Sequence, residues 1–442
     1  MNTKMVEEPD KIANVCRAYG LRHFASRYGI GAADIREFSR KHQVDLTESE
    51  IRDEVVDWVD TGHGKLPFFE EIRDDVLVER KDDRIKVNFD VFHAVGKILG
   101  GHLEKLSVED RVKIVKTPFL DIYEQVLFDV IKEQFKLETK PYWPENKNFS
   151  VCLTHDVDEV RKTYQYFTRP LLHLKRLELS RALYHLRSFF VDIFQGNNPY
   201  WTFEDLMKLE DKLGVKSSFY FLQEDGKPSL FNPASWSVYG RRYSFNDPRV
   251  VEVIKKLSAG GWEVGLHGSF YSYMNLDKLR SDKKDLEKIL GEVVTGIRQH
   301  HLNLKIPDTW AYHEQVGLSY DTSLGLKDDI GFRWGTCLPF FPLDLKSGKL
   351  LKILEIPLVV MDTPLFTKKD NSLSRIKKLI EVVEKQKGVL TVLFHHSVFD
   401  EGEYPGWSER YRKLIGLCKE KNAWITTANE VNSWWRSREN GD

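Results

Sequence analysis

The sequence predicts an α/β protein: a parallel (β/α) barrel preceded by a smaller mixed α+β module. Three observations predict it. From Phe149 onward, short apolar runs alternate with amphipathic helical stretches, the pattern of strands joined by crossover helices. Several of those runs end in a side chain able to do chemistry, and in a parallel barrel the carboxyl ends of all strands meet at one rim. At 442 residues the chain exceeds one ordinary core, and it divides most simply into residues 1–147 and 148–442.

In the first part, Ile12 to Tyr28 and Val108 to Phe135 carry apolar residues at helical spacing, while Asp75 to Val87 reads as a short hairpin. No cluster of reactive side chains occurs there. The turn-rich run Lys140-Pro141-Tyr142-Trp143-Pro144-Glu145-Asn146 reads as a linker. Beyond it the expected strands are Phe149–Thr154, Val215–Leu222, Trp262–Leu266, Gly296–Leu302, Ile353–Val360, Val389–Phe394 and Ala423–Thr426. The expected helices are Phe203–Leu213, Pro248–Gly260, Asp277–Leu290, Ser372–Lys387 and Trp407–Lys421. One insertion, at about 160–200, breaks the alternation. Its stretch Tyr164 to Phe194 reads as one or two basic amphipathic helices, either a solvated cover for the barrel mouth or a contact for a membrane surface or partner.

Composition narrows the function classes. Lys+Arg 66 against Asp+Glu 67 gives a net charge of -1, so no global field favours nucleic acid. Cys16, Cys152, Cys337 and Cys418 lie far apart without Cys-x-x-Cys spacing, which argues against a zinc ribbon or a disulfide framework and for a reducing, cytoplasmic setting. The polar stretch Met1 to Asp10 lacks the apolar core of a signal peptide, and no stretch has the length and apolarity of a membrane span.

The richest stretch is Leu153-Thr154-His155-Asp156-Val157-Asp158, where an apolar strand ends in two acids one residue apart. Residues i and i+2 of a strand project to one face, so Asp156 and Asp158 point together. Such a pair is costly unless a divalent cation, an arginine or a division of labour between metal binding and proton transfer relieves it. Other strand ends carry His267, then Arg298 with His300 and His301, then His395 and His396. Alternation sends His396 away from the face that His395 shares.

These motifs resemble the polysaccharide deacetylase superfamily, the NodB-type carbohydrate esterases, and more closely a bacterial branch with Thr-His-Asp-Val-Asp in place of Thr-Phe-Asp-Asp. The resemblance runs from Phe149 to Trp435 and implies the distorted (β/α) barrel of that family. It implies Asp156 as the general base and Asp158 as a metal ligand. His267, in Leu266-His267-Gly268-Ser269, matches a further ligand. The family has a second histidine four positions on, where this chain has Tyr271, so the third ligand is expected from His300, with His301 or water as alternatives. Arg298 matches the arginine that pairs with the catalytic acid, and Leu393-Phe394-His395 matches the motif whose histidine protonates the leaving amine. Pro307-Asp308-Thr309-Trp310 and Gly331-Phe332-Arg333-Trp334-Gly335 also look family-like. Tyr271, Trp310, Arg333, Trp334 and Trp407 are therefore candidate sugar contacts.

The implied reaction is hydrolysis of an N-acetyl or related N-acyl group from an amino sugar of a surface glycan or its precursor, assisted by a divalent metal expected to be zinc. Two other classes stay open. One is hydrolysis of another C–N bond or an ester on the same scaffold; the other is a non-catalytic glycan-binding or assembly protein without metal. Neither a Gly-x-Ser-x-Gly elbow nor a Walker-type phosphate loop occurs.

Overall fold

The computed structural model describes residues 7–30, 44–73, 76–81, 84–135, 141–175, 177–224, 226–229, 231–232, 235, 238–239, 243–367 and 372–440. Parts of three expected features, at residues 75, 82–83, 140 and 176, lie outside these.

The N-terminal region starts with helix Glu7–Tyr28, followed by β1 (Val44–Leu46), β2 (Asp57–Thr61), β3 (Gly64–Phe68), β4 (Val78–Lys81) and β5 (Arg84–Val87). β4 and β5 form the expected antiparallel pair, β1 adds to β5 in parallel, and β2–β3 is a separate hairpin. The expected helix from Val108 to Phe135 is two helices, Val108–Ile114 and Phe119–Phe135, because Pro118 cannot continue the first. Helix Glu7–Tyr28 crosses helix Val91–Leu99 backbone to backbone: a Cβ on Gly20 would stand 2.1 Å from the Phe92 carbonyl oxygen, and one on Gly96 2.1 Å from that of Cys16. Only glycine fits at that crossing.

The barrel follows. Its strands are β6 (Ser150–Val157), β7 (Ser218–Leu222), β8 (Glu263–Gly268), β9 (Gly296–Gln299), β10 (Tyr320–Asp321), then the small hairpin β11 (Leu343–Asp344) with β12 (Lys349–Leu350), and β13 (Leu354–Glu355), β14 (Leu358–Met361), β15 (Val389–Leu393) and β16 (Trp424–Thr426). Neighbours in the main sheet run β13-β10-β9-β8-β7-β6-β15-β14, all parallel, with β16 beside the start of β6. β13 and β14 are one run of chain broken at Pro357. Its first half pairs with β10 and its second with β15, so the sheet curls round and its two edges are joined by a single segment. Proline, lacking an N–H, sits where the pairing changes sides.

Every residue of β6, β7 and β15 is buried, the continuous apolar reading of parallel strands covered on both faces. The crossover helices present one apolar stripe to the sheet, as with Val250, Val253, Ile254 and Leu257 of helix Pro248–Ala259, whose cap Asp247 accepts from the Arg249 N–H. Two further sequence expectations are corrected. The run at Tyr142-Trp143 is no loose linker: both rings are buried against Trp435, and the Trp143 indole donates to the Lys387 carbonyl at 2.7 Å. The strand expected to reach Leu302 stops at Gln299, since His301 adopts a φ of +57 and turns the chain.

The N-terminal region is fastened directly to the barrel. The Leu120 N–H donates to Gly335 at 2.9 Å, the Phe332 N–H to Val115 at 2.7 Å, and Arg27 donates to Gln386 at 3.3 Å. Among the described residues, no helix is long and apolar enough to cross a membrane.

Candidate active site

The strand ends converge. Asp156 is the penultimate residue of β6 and Asp158 follows its last residue, so the alternation that pairs them also aims both at His267 on β8. The His267 Nε2 lies 3.1 Å from Asp158 Oδ1 and 3.8 Å from Asp156 Oδ2. His267 Nδ1 stands 2.8 Å from the Arg298 carbonyl, which only accepts, so Nδ1 carries the hydrogen. Nε2 therefore turns its lone pair on two carboxylates unless a proton or a cation intervenes.

His300 completes a second contact with Asp158, its Nε2 3.7 Å from Oδ1. Asp158, His267 and His300 each offer a ligand atom, all within 4.8 Å of one another. One carboxylate and two imidazoles make a three-ligand set of the kind that holds catalytic zinc with a position left open. Of the adjacent histidines, His300 is the one that faces Asp158: it is buried, while His301 is exposed beyond the left-handed turn. Burial would raise the Asp158 carboxyl, yet His300, the hydrogen bond from His267 and the His395 ring together hold it well below the usual carboxylate range.

Arg298 is fully buried under this cluster. Its Nη1 donates to Asp156 Oδ1 at 3.0 Å and to Thr154 Oγ1 at 2.7 Å, and its Nε donates to the Thr322 carbonyl at 3.1 Å. The guanidinium thus fixes the Asp156 rotamer from below. Across the mouth, His395 turns Nε2 toward Asp158 Oδ2 at 3.9 Å, while its Nδ1 faces Asp362 at 3.0 Å. Burial alone would lower the His395 pKa; Asp362, then Asp158 and Asp156, raise it to about 10. His396 points the other way, stacked on Phe203 at 4.7 Å and pushed down to about 4 by burial.

The sequence alone does not mark Asp362. The same rule that found the other groups reaches it, since it directly follows β14, but it also opens helix Asp362–Thr367 and reads there as a cap. His155, between the motif acids in sequence, lies on the opposite face, where Nε2 meets Glu210 at 3.0 Å and Nδ1 the Phe394 carbonyl at 2.7 Å.

The expected sugar contacts divide. Tyr271 is 53% exposed and packs on Phe270, whose ring meets His300 edge-on. Trp310 and Trp334 are 0% and 1% exposed, with indole N–H groups donating to Glu355 at 2.9 Å and Glu104 at 2.8 Å. Arg333 donates to the same Glu104 at 3.0 Å. Arg333 and Trp334 thus meet Glu104 of the N-terminal region at its seam with the barrel, Trp310 packs inside the barrel against Trp334 and Phe340, and neither indole presents a face to a sugar. Trp407 is partly buried against Phe366 and Tyr404.

No protein-family model matches the sequence, and no curated protein matches it. Solved structures similar to this one include a protein described as a polysaccharide deacetylase from Mycobacterium smegmatis (16% identity, 67% of this chain and 93% of that one, TM-score 0.42). A second, from Pseudomonas aeruginosa and described in the same terms, has 16% identity over 68% and 95% with a TM-score of 0.43. The Puue allantoinase has 15% identity over 68% and 94% with a TM-score of 0.44. Polysaccharide deacetylases recur among these likenesses.

Proposed function

We propose that this protein belongs with the NodB-type deacetylases and is a zinc-dependent hydrolase that removes an N-acetyl or related N-acyl group from an amino sugar of a glycan or glycan precursor. The observation that carries this reading is the pairing of one held acid with one held imidazolium across a three-ligand cluster: Arg298 on Asp156 at 3.0 Å, Asp362 on His395 at 3.0 Å, and Asp158, His267 and His300 between them.

Asp158, His267 and His300 would hold the cation. When bound, such an ion supplies Lewis-acid polarisation of an acyl carbonyl and acidifies water. Asp156, fixed by Arg298, takes the proton of the attacking water. His395 is protonated at neutral pH and gives its Nε2 proton to the departing nitrogen, so water and amide become carboxylate and amine. Tyr271, exposed and packed on the Phe270 ring that meets His300, offers a ring face to the sugar. The four dispersed cysteines, none of them in a disulfide, support a reducing, cytoplasmic setting for this reading.

The test is acetate release from a panel of soluble N-acetylated amino sugars and oligosaccharides by zinc-loaded protein. Release that is abolished by chelation and by Asp156→Asn is the expected result. Formate or ammonia release from other C–N substrates with no acetate would instead favour the second reading, for which the replacement of the family's histidine by Tyr271 speaks.

A further inference from the structure

The insertion after β6 folds as a helical hairpin, Gln165–Lys175 and Leu179–Gln195, whose amphipathicity is inverted. In the second helix Leu179, Leu183, Leu186, Phe190 and Ile193 form a stripe at alternating four- and three-residue spacing, and all are exposed. Its buried residues are Ala182, His185 and Ser188. The first helix repeats this, with Phe167, Leu171 and Leu174 exposed and Gln165, Tyr166 and Pro170 buried. The hairpin carries ten of the nineteen exposed large apolar side chains among the described residues, and Leu177 at its turn is 86% exposed. A soluble surface seldom leaves such a patch uncovered.

Polar anchors hold that face outward. Glu403 accepts from the Tyr200 hydroxyl at 2.9 Å and is ion-paired with Lys162 at 3.0 Å and with Arg169 at 3.1 Å, and Lys162 Nζ lies 3.1 Å from His185 Nδ1. Asp192 accepts from Tyr166 at 2.8 Å, tying one helix to the other. Turning the stripe inward would break a buried ion cluster.

Charge decides what covers it. Between residues 160 and 196 the sequence has seven Lys and Arg against two Asp and Glu, in a chain whose net charge is -1. Arg161, Lys175, Arg181 and Arg187 are all exposed. A second copy seated on this face would bring these cations against their own kind, whereas an anionic lipid surface takes the apolar stripe and the cations together.

We propose that the hairpin Gln165–Gln195 docks the protein on an anionic bilayer. The hairpin leaves the chain seven residues after Asp158, and its anchor Glu403 lies on the loop that follows His395. The docked face and the catalytic mouth are thus fixed to the same two strand ends. Resting on the reading of the site as an N-acyl hydrolase, the substrate is then an acylated amino sugar carried on a lipid.

The experiment is co-sedimentation with phosphatidylcholine vesicles with and without phosphatidylglycerol. Wild-type protein is expected to partition onto the anionic vesicles. Leu183→Glu with Phe190→Glu lowers that partition by at least about tenfold, and Arg187→Gln by about fivefold; circular dichroism melting confirms that both variants fold. Asp158→Ala binds vesicles like wild type. On substrate, the double variant loses hydrolysis of a lipid-anchored N-acetyl amino sugar in vesicles and keeps that of a soluble one. Equal sedimentation of the double variant, or none by the wild type, overturns the docking surface. So does a wild-type dimer in sedimentation velocity that the double variant dissociates without any lipid binding. Vesicle binding without hydrolysis of any acylated sugar leaves docking intact and overturns the reading of the site.

Discussion

Asp362 grips His395 twice: it accepts the backbone N–H at 2.7 Å through Oδ2 and faces the ring Nδ1 at 3.0 Å. The carboxylate is fully buried, so the ring is held in one orientation with Nε2 toward the cluster. A carboxylate behind an imidazole fixes tautomer as well as rotamer.

Replacing Asp362 by Asn keeps the shape and removes the charge. The expected outcome is a fall in kcat by about 100-fold, within the range of lost general acid catalysis, with zinc content unchanged. The basic limb of the pH–rate profile moves to lower pH. An unaltered profile would separate Asp362 from the proton transfer.

His395 also links stability to pH. Its folded pKa, about 10, lies above the unfolded value of about 6.5, so the folded state binds the extra proton between those limits. The stabilisation is complete below the lower limit and is lost as pH rises through the upper one. The melting temperature of zinc-free protein is therefore expected to fall from neutral pH toward pH about 10, and Asp362→Asn is expected to flatten that slope. A parallel slope in both proteins would contradict the assignment.

The ligand set makes a selective prediction about the two adjacent histidines. His300→Ala should weaken zinc binding by more than the roughly 10- to 100-fold typical of outer-shell partners, as should Asp158→Ala and His267→Ala. His301→Ala should leave it within a factor of a few. Competition titration against a chelating dye reads both, and equal losses at His300 and His301 would refute the choice.

Arg298→Met leaves Asp156 buried without its guanidinium. Breaking a buried pair in this way destabilises by about 3–5 kcal/mol, to be read as a shift in denaturation midpoint. Arg298→Met with Asp156→Leu should recover much of it, because both buried charges are gone.

Glu104 accepts from Arg333, at 2.9 and 3.0 Å, and from the Trp334 indole at 2.8 Å. Glu104→Ala is expected to lower stability by about 1–3 kcal/mol through the donors it leaves unpaired, with KM for soluble substrate unchanged. A raised KM at unchanged stability would return Arg333 and Trp334 to the substrate.

Much of the candidate site's convergence is legible because one rule, strand ends meeting at one rim, turns scattered residues into neighbours. Asp156, Asp158, His267, Arg298, His300 and His395 all obey it. The misses have physical causes. β10 is two residues long, too short for a hydrophobic run to announce, and β13–β14 changes partner at Pro357. Arg333 and Trp334 turn to Glu104, 229 and 230 residues away, and no local pattern distinguishes an indole whose N–H is satisfied inside from one offered to a sugar. The hairpin after β6 was legible as amphipathic, but which face turns outward depends on Glu403, far along the chain.

The central claim is that Asp158, His267 and His300 share one cation. Anomalous diffraction at the zinc edge from metal-loaded crystals tests it most directly. The predicted result is a single strong peak bounded by the Asp158 carboxylate and the Nε2 atoms of His267 and His300, with Asp156 and His395 on either side. A peak elsewhere, or an Asp158 carboxylate still hydrogen-bonded to His267 with no peak at saturating zinc, would contradict it.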